Sequence, residues 1–284
     1  MDNLNALQRG LRDLGYVENQ SYVLEYRSAD GDAGRFPALA EELVRLGVDL
    51  IVTRGTPAAR AAKAATETIP IVMAAIGEPL GMGVVASLAR PGGNVTGLSG
   101  FVNELAGKRV ELLRELRPGS SVAGFLTNMG NPVVPQQWEE TKKAAQTLGI
   151  QVTLLDVRTK DDISPAFETA SAGGVDTLLV GIDALIQEHR ALITELAANQ
   201  RLAAIYPSRE FVNAGGLMAY GVSYPDLYFR SASLIDKIFR GAKPGELPVE
   251  QPTKLELAIN LKAAKALGLN VPPALLSRAD EVIE

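Results

Sequence analysis

The sequence predicts an α/β protein with two similar lobes, each built around a parallel sheet. Short strand patterns alternate with amphipathic helical patterns along all 284 residues, which is typical of βαβ units. Motifs also recur in the same order in the two halves: Leu14-Gly15 returns as Leu148-Gly149, and Gly47–Val52 returns as Gly174–Leu179. Hydrophobic residues make up 46% and charged residues 21% of the chain, the balance of a globular protein. The ordered repeat favours two related lobes over one continuous body.

The first lobe begins with an amphipathic helix within Met1–Tyr16. Leu4, Leu7 and Leu11 recur at helical spacing, and Gly15 stands where a C-terminal cap belongs. The other elements predicted for this lobe are a strand at Tyr22–Tyr26, a helix at Pro37–Leu46, a strand at Asp49–Thr53, a helix opened by Thr56-Pro57 and a strand at Ile69–Ala75.

The second lobe repeats this pattern and begins one strand earlier. Its predicted strands are Val122–Asn128, Val152–Val157, Thr177–Gly181 and Ala203–Tyr206, and its predicted helices are Pro135–Leu148, Ser164–Ala172 and Ala184–Gln200. The counterpart of the first of these strands would lie before Met1, so we expect the first lobe to lack its first strand. That strand is usually central in a doubly wound sheet. A true difference between the lobes is the alternative.

Composition excludes several classes of function. A net charge of −5 and a pI near 5.2 argue against a general nucleic-acid binder. The absence of cysteine excludes disulfides and thiolate chemistry, and His189 is the single histidine. We therefore expect no metal, no cofactor and no enzymatic activity. No apolar run approaches the ~18 residues of a membrane span, and Met1–Tyr16 lacks the apolar segment of a signal peptide.

Candidate site residues lie in the loops that follow the strands, because open parallel sheets bind ligands at the carboxyl ends of their strands. In the first lobe the segment Thr53–Pro57 places a glycine, a hydroxyl and a helix start at a strand end. This combination suits a carboxylate, with Thr53, Arg54 and Thr56 as its candidate partners. An ordinary N-cap at Thr56 is the alternative.

Five further residues are candidate ligand contacts. Asp183, after an apolar strand, would bind a ligand ammonium or would cap the next helix, and Glu78 has the same two interpretations. Asn128 offers both donor and acceptor atoms, although Asn-Pro sequences in the same loop are also turn signals. Tyr206 and Tyr220 end apolar segments and are the candidates for contact with an aromatic ring.

Several motifs spread over the whole chain resemble those of one protein family. They are Leu11-Arg-Asp-Leu-Gly-Tyr-Val17, Ile69-Pro-Ile-Val72, Ala89-Arg-Pro-Gly-Gly-Asn-Val-Thr-Gly97, Gly107-Lys-Arg-Val-Glu-Leu-Leu113, Pro248-Val-Glu-Gln-Pro-Thr253, Ile259-Asn-Leu-Lys262 and Lys265-Ala-Leu-Gly268. In combination they resemble the substrate-binding proteins of ABC importers, in the branch that includes tryptophan-binding members. The family often has Asp-Pro where this chain has Glu78-Pro79.

The resemblance implies the type I periplasmic-binding fold, with two Rossmann-like lobes joined by a hinge of about three crossings. It places those crossings near Pro118, near Val222–Pro225 and near Leu247–Pro252. Lobe one would then comprise residues 1–118 and about 223–247, and lobe two residues 119–222 and about 248–284. The resemblance also implies that Thr53, Thr56, Glu78, Asn128, Asp183 and Tyr206 face a cleft between the lobes.

The implied function is capture of a small amino-acid-like or aromatic carboxylate by hinge closure, outside the cytoplasm, for delivery to the membrane permease subunits of an ABC importer. No nucleic acid and no membrane insertion of this chain are expected. Two alternatives stay open at this point. One is a cytosolic ligand-sensing module related to the effector domains of transcription regulators. The other is an α/β enzyme that uses carboxylates such as Glu78 and Asp183 for acid–base chemistry.

Overall fold

The structure, a computed structural model, describes residues 2–100 and 104–284. The chain divides into two compact units. Unit 1 comprises Met1–Phe101 and Ser223–Lys254, and unit 2 comprises Val102–Val222 and Leu255–Glu284.

The first change of unit lies before helix α4 (Glu104–Leu116), and not near Pro118 as expected. The physical reason is the apolar face of α4. Val110 and Leu113 are buried in the same core as Phe125 of unit 2, so the helix belongs to that unit.

The last change of unit also lies later than expected. The backbone N–H of Val249 donates to the carbonyl oxygen of Leu88 (2.7 Å), and the N–H of Glu250 donates to that of Gly97 (2.9 Å). These bonds hold the segment on unit 1 past residue 247, and the chain returns to unit 2 at Leu255.

Unit 2 contains a seven-stranded sheet. Its strands are β4 (Val122–Thr127), β5 (Gln151–Asp156), β6 (Thr177–Val180), β7 (Ala203–Tyr206), β8 (Met218–Val222), β9 (Leu255–Asn260) and β10 (Glu281–Ile283). The strand order is β10-β9-β8-β7-β6-β4-β5. All neighbours are parallel except β8 and β9. The carboxyl ends of β4, β6 and β7 therefore lie at the same edge of the sheet.

Helices cover both faces of this sheet, as parallel sheets require. They are α4, α5 (Val134–Thr147), α6 (Ile163–Ala172), α7 (Ala184–Glu188), α8 (Arg190–Asn199), α9 (Arg209–Asn213), α11 (Leu261–Leu267) and α12 (Pro273–Leu276). One apolar core contains Phe167, Ile193 and Phe211, and the other contains Leu113 and Phe125. The single helix predicted over Ala184–Gln200 is in fact two helices, α7 and α8, which meet at His189.

Unit 1 contains a three-stranded parallel sheet in the order β1-β2-β3. Its elements are α1 (Asp2–Asp13), α2 (Phe36–Leu46), β1 (Ile51–Arg54), α3 (Thr56–Ala65), β2 (Ile71–Ile76), β3 (Val95–Ser99) and α10 (Tyr224–Phe239). Helix α10 packs against α1 and β2, and α2 packs against α3. Ile51, Ile71, Met73 and Val95 are buried in the core. Strand β3 was not predicted, and neither were strands β8, β9 and β10 of unit 2.

The strand predicted at Tyr22–Tyr26 does not form. Its only pairing with a described residue is an isolated bridge between Glu18 and Tyr22, and the side chains of Val23 and Tyr26 are 71% and 66% exposed. In unit 2 the corresponding strand β5 pairs with β4, which also pairs with β6. Among the described residues of unit 1 no strand has the position of β4. A β-type sequence without a neighbouring strand has no ladder to join, because strands are stabilised by cross-strand pairing.

Candidate ligand-binding site

The carboxyl edge of unit 1 brings two buried hydroxyls to the start of a helix. Strand β1 ends at Arg54, Gly55 turns the chain with φ +81°, and α3 begins at Thr56. The N–H of Gly55 donates to the carbonyl oxygen of Ala75 (2.7 Å), which fixes the turn against the end of β2. Thr53 and Thr56 are 7% and 2% exposed, and neither side-chain hydroxyl has a hydrogen-bond partner within the described residues.

This arrangement differs from the predicted N-cap. The cap residue is Gly55, and Thr56 lies inside the first turn of α3 without capping it. The first amides of a helix have no acceptor within the helix and carry partial positive charge. Pro57 contributes no N–H, so Thr56 and Ala58 supply the first of these amides. Two unpartnered hydroxyls beside such a terminus form a site that can hold a carboxylate.

Two other candidates in unit 1 have neighbours of their own. The guanidinium carbon of Arg54 lies 4.2 Å from the ring centroid of Tyr224, at the start of α10, so a cation–π contact holds this side chain. The carbonyl oxygen of Glu78 accepts from the N–H of Met82 (3.1 Å). Its carboxylate Oε2 lies 3.8 Å from the position that a Cβ at Gly81 would occupy. Glu78 is half-buried and bends onto its own turn.

At the carboxyl edge of unit 2, Asp183 is the centre of a hydrogen-bond network. Its Oδ1 accepts from the backbone N–H of Leu185 (2.8 Å) and from Asn128 Nδ2 (3.3 Å), and its Oδ2 accepts from Asn131 Nδ2 (2.9 Å). Of the two interpretations, the structure shows the cap: Asp183 is the N-cap of α7 and is 7% exposed. The amide oxygen of Asn128 accepts from the N–H of Gly130 (2.8 Å). These contacts fix the loops after β4 and β6.

The two tyrosines occupy different surroundings. Tyr206 is 1% exposed and stacks on Phe211 inside the core of unit 2, with ring centroids 5.1 Å apart. Burial raises the pKa of the Tyr206 hydroxyl well above its ordinary value. The interpretation of its ring as a ligand platform is therefore corrected: the ring faces the core because β7 is buried along its whole length. Tyr220 is half-buried, and its carbonyl oxygen accepts from Arg109 Nε (2.8 Å).

Sequence reasoning missed a group of buried polar atoms around Gly181. Thr127 Oγ1, at the end of β4, and both amide atoms of Gln137, near the start of α5, have no hydrogen-bond partner in the described chain. A Cβ at Gly181 would lie 2.5 Å from Thr127 Oγ1 and 3.3 Å from Gln137 Oε1. Glycine is therefore required where these groups meet. Gln137 lies within a helix, so its sequence position carried no signal.

A second group was also missed, in the segment after β7. The hydroxyl of Ser208 and both carboxylate oxygens of Glu210 are buried and have no hydrogen-bond partner among the described residues. Ser208 is 2% exposed, and Glu210 lies in the first turn of α9. Their place in a loop that follows a strand was the available signal, since such loops are where an open parallel sheet binds its ligand.

Comparison with known proteins identifies the family. The sequence profile of the family described as "ABC transporter substrate binding protein" matches residues 2–283. The chain belongs to this family. It is a family of substrate-binding proteins and not of enzymes, and the two-unit α/β architecture is the type I periplasmic-binding fold.

Individual relatives support this assignment. A tyrosine-binding protein of Clostridioides difficile (strain R20291) is 28% identical over 261 residues, which are 92% of this chain and 75% of the relative. An ABC domain from Streptococcus pneumonia, solved in complex with L-Trp, is 30% identical with a TM-score of 0.91, covering 99% of this chain and 94% of that one. A conserved domain protein from Vibrio cholerae is 28% identical with a TM-score of 0.92, at the same coverage.

None of the helices that the structure describes is both long enough and apolar enough to span a membrane.

Proposed function

We propose that this chain is the solute-binding component of an ABC importer and that its ligand is an amino acid with an aromatic side chain. The family supplies the transport role, and the relatives named for tyrosine and solved with L-Trp supply the ligand class. The observation in this chain that carries the proposal is the pair of unpartnered hydroxyls of Thr53 and Thr56 at the start of α3. Buried hydroxyls without partners are rare, and a ligand carboxylate would satisfy both.

The proposed mechanism is capture by closure of the hinge. A ligand that the closed form binds more tightly than the open form would stabilise the closed form through this difference in affinity. In unit 1, Thr53, Thr56 and the first amides of α3 would hold the carboxylate. In unit 2, Asp183 would keep the loop that contains Asn128 and Asn131 in position. The closed form of the protein, outside the cytoplasm, would then be recognised by the membrane permease subunits of the importer.

The ligand is expected to leave the protein unaltered. None of the proposed contacts includes a nucleophile activated by a neighbouring base. Incubation of the protein with L-tyrosine or L-tryptophan, followed by mass spectrometry of the small molecule, is expected to return the amino acid unchanged. Conversion of the amino acid would favour an enzyme.

The carboxylate contact is tested by calorimetric titration with L-tyrosine, L-tryptophan and their carboxamides. The wild-type protein is expected to bind at least one amino acid and to bind its carboxamide much more weakly. Thr56→Val is expected to weaken binding of the amino acid by about tenfold or more, since hydrogen bonds to charged groups contribute ~1.5–3 kcal/mol.

Thr141→Val is the matched control. Thr141 is also buried, but its hydroxyl donates to the carbonyl oxygen of Gln137 (2.8 Å), so this variant should lose stability and keep its affinity. Equal affinity of Thr56→Val and the wild type, or equal binding of acid and carboxamide, would refute the carboxylate site. Absence of binding to every amino acid tested would refute the proposed function.

A further inference from the structure

Glu210 is a buried carboxylate that nothing in the described structure neutralises by a hydrogen bond. Both carboxylate oxygens are inaccessible to solvent and have no hydrogen-bond partner, and the hydroxyl of Ser208, two residues earlier, is in the same condition. The neighbouring Arg209 forms its ion pair with Glu281 (2.7 Å). The two groups without hydrogen-bond partners are therefore two residues apart in the segment that follows β7.

The position of this segment is that of a ligand loop. Strand β7 lies between β6 and β8 and is parallel to both. Its carboxyl end therefore lies at the same edge of the sheet as Asp183, which follows β6. Removing a carboxylate from water without donors is costly, and each unsatisfied buried group in a native protein needs an explanation. A bound cation supplies one.

We propose that Glu210, assisted by Ser208, binds the ammonium group of the ligand. This inference rests on the proposed function, since it takes the ligand to be an amino acid. An ammonium group has three N–H donors and no acceptor. The two oxygens of Glu210 and the hydroxyl of Ser208 are three acceptors, and a charge-assisted hydrogen bond is about twice as strong as a neutral one.

Asp183 is the obvious competitor for this role, and its contacts argue against it. Its two oxygens already accept hydrogen bonds from the N–H of Leu185 and from the amides of Asn128 and Asn131. An ammonium at Asp183 would have to share or displace these donors. The structure thus assigns Asp183 to the scaffold and Glu210 to the charge of the ligand.

A structural role for Glu210 is the alternative that the experiment must exclude. Acidic residues in the first turn of a helix interact favourably with its dipole, and Glu210 is in the first turn of α9. If that were its function, Glu210→Gln would destabilise the ligand-free protein. If Glu210 is instead kept for the ligand, removing its unpaired charge should raise the melting temperature of the ligand-free protein.

The decisive experiment compares amino acids with their deamino counterparts. Wild-type protein, Glu210→Gln and Ser208→Ala are titrated calorimetrically with L-tyrosine, L-tryptophan, 3-(4-hydroxyphenyl)propionate and indole-3-propionate. Glu210→Gln is expected to weaken amino-acid binding by about 10- to 100-fold and to leave binding of the deamino acids within about twofold. Ser208→Ala should give the same pattern with a smaller loss. Glu195→Gln, at an exposed position on α8, is the isosteric control.

The outcomes separate the inference from the proposed function. If the wild type binds the amino acids and Glu210→Gln binds them equally well, or loses amino acids and deamino acids in equal measure, the inference is overturned and the function stands. If Glu210→Gln lowers the melting temperature of the ligand-free protein and leaves discrimination between the two ligand classes intact, Glu210 is structural. If the wild type binds no amino acid, the proposed function fails and the inference fails with it.

Discussion

The carboxyl edges of the two units place polar residues at equivalent points and use them in opposite ways. In unit 1 the hydroxyls of Thr53 and Thr56 are buried at a helix start and have no partner within the described residues. In unit 2 the carboxylate of Asp183 caps helix α7 and accepts hydrogen bonds from the side-chain amides of Asn128 and Asn131. A polar residue after a strand is therefore not sufficient evidence for a ligand contact. Whether its hydrogen bonds are already satisfied separates a scaffold residue from a binding residue.

The largest expected effect is a loss of stability at the carboxyl edge of unit 2, where the hydrogen bonds of Asp183 are satisfied. Asp183→Ala removes the cap of α7 and leaves three donors, those of Leu185, Asn128 and Asn131, without their acceptor. We expect the free energy of unfolding of unit 2 to fall by about 2–4 kcal/mol, measured by urea denaturation. Asp183→Asn should cost less, because an amide oxygen can still cap the helix. A stable Asp183→Ala protein with weak amino-acid binding would reverse our assignment of this residue.

The next effect tests the close approach at Gly181. A Cβ there would lie 2.5 Å from Thr127 Oγ1 and 3.0 Å from its Cβ. We expect Gly181→Ala to lower the free energy of unfolding by about 1–3 kcal/mol through overpacking. The cost should be smaller in a Thr127→Ala background, where the nearest atom is absent. Additive effects of the two substitutions in thermal denaturation would show that the two residues do not meet.

Asp176, just before β6, is expected to make a pH-dependent contribution to the free energy of unfolding. Burial raises the pKa of Asp176. Hydrogen bonds from the hydroxyl of Ser120 and the N–H groups of Ser121 and Val122, together with the positive charge of Arg117, lower the pKa further than burial raises it. The folded-state pKa thus lies below the unfolded value of 3.8. Its stabilising contribution is present above that unfolded value and is lost as the pH falls through the folded pKa.

Asp176→Asn should therefore be less stable than the wild type at pH 7, by about 1 kcal/mol. The difference should shrink as the pH is lowered below about 4. Urea denaturation at a series of pH values measures it. A difference that grows toward acid pH would contradict the sign of this argument.

A smaller effect, of opposite sign, on stability is expected at the carboxyl edge of unit 1, where the hydroxyls of Thr53 and Thr56 have no partner within the described residues. Thr56→Val replaces a buried hydroxyl that has no partner in the described chain by a methyl group of similar shape. Without ligand, the variant should be as stable as the wild type or up to about 1 kcal/mol more stable. Differential scanning calorimetry of the ligand-free proteins tests this. A marked loss of stability would mean that the Thr56 hydroxyl supports the fold of unit 1.

The smallest effect is expected at Tyr206. Its ring packs on Phe211 in the core, and Phe preserves that packing. Tyr206→Phe should change the free energy of unfolding by about 0.5 kcal/mol or less and leave the affinity for L-tyrosine and L-tryptophan within about twofold. A large loss of affinity, measured by calorimetric titration, would show that Tyr206 contacts the ligand.

The repeat and the alternation of patterns predicted most of the α/β architecture. Strand Ala203–Tyr206 and helix Ser164–Ala172 were placed to within a residue at each end, because their hydrophobic periodicity is strong and local. The strand at Tyr22–Tyr26 was wrong, although its residues have high β-propensity. Propensity in a strand reflects packing against neighbours, and no neighbouring strand is present beside this segment in the described part of unit 1.

The site was predicted less completely than the fold. Reading the loops after strands selected Thr53, Thr56 and Asp183, which lie near the end of β1, at the start of α3 and just before α7. That they contact a ligand stays a prediction. The sequence did not distinguish the satisfied carboxylate of Asp183 from the unsatisfied carboxylate of Glu210. Both follow strands and both begin helices, and the difference lies in which distant amides reach them.

What the sequence determined by itself is the alternation of helices and strands and the position of most of the longer elements, because helix and strand periodicity and the turn residues between them act over a few neighbouring positions. Only the tertiary structure decided to which unit α4 belongs, whether residues 22–26 form a strand, and which buried polar groups have hydrogen-bond partners. These depend on residues far apart in the chain, as when Asn131 reaches Asp183 across 52 positions. Hydrogen bonds and burial are properties of neighbours in space, and the order of residues along a chain does not specify those neighbours directly.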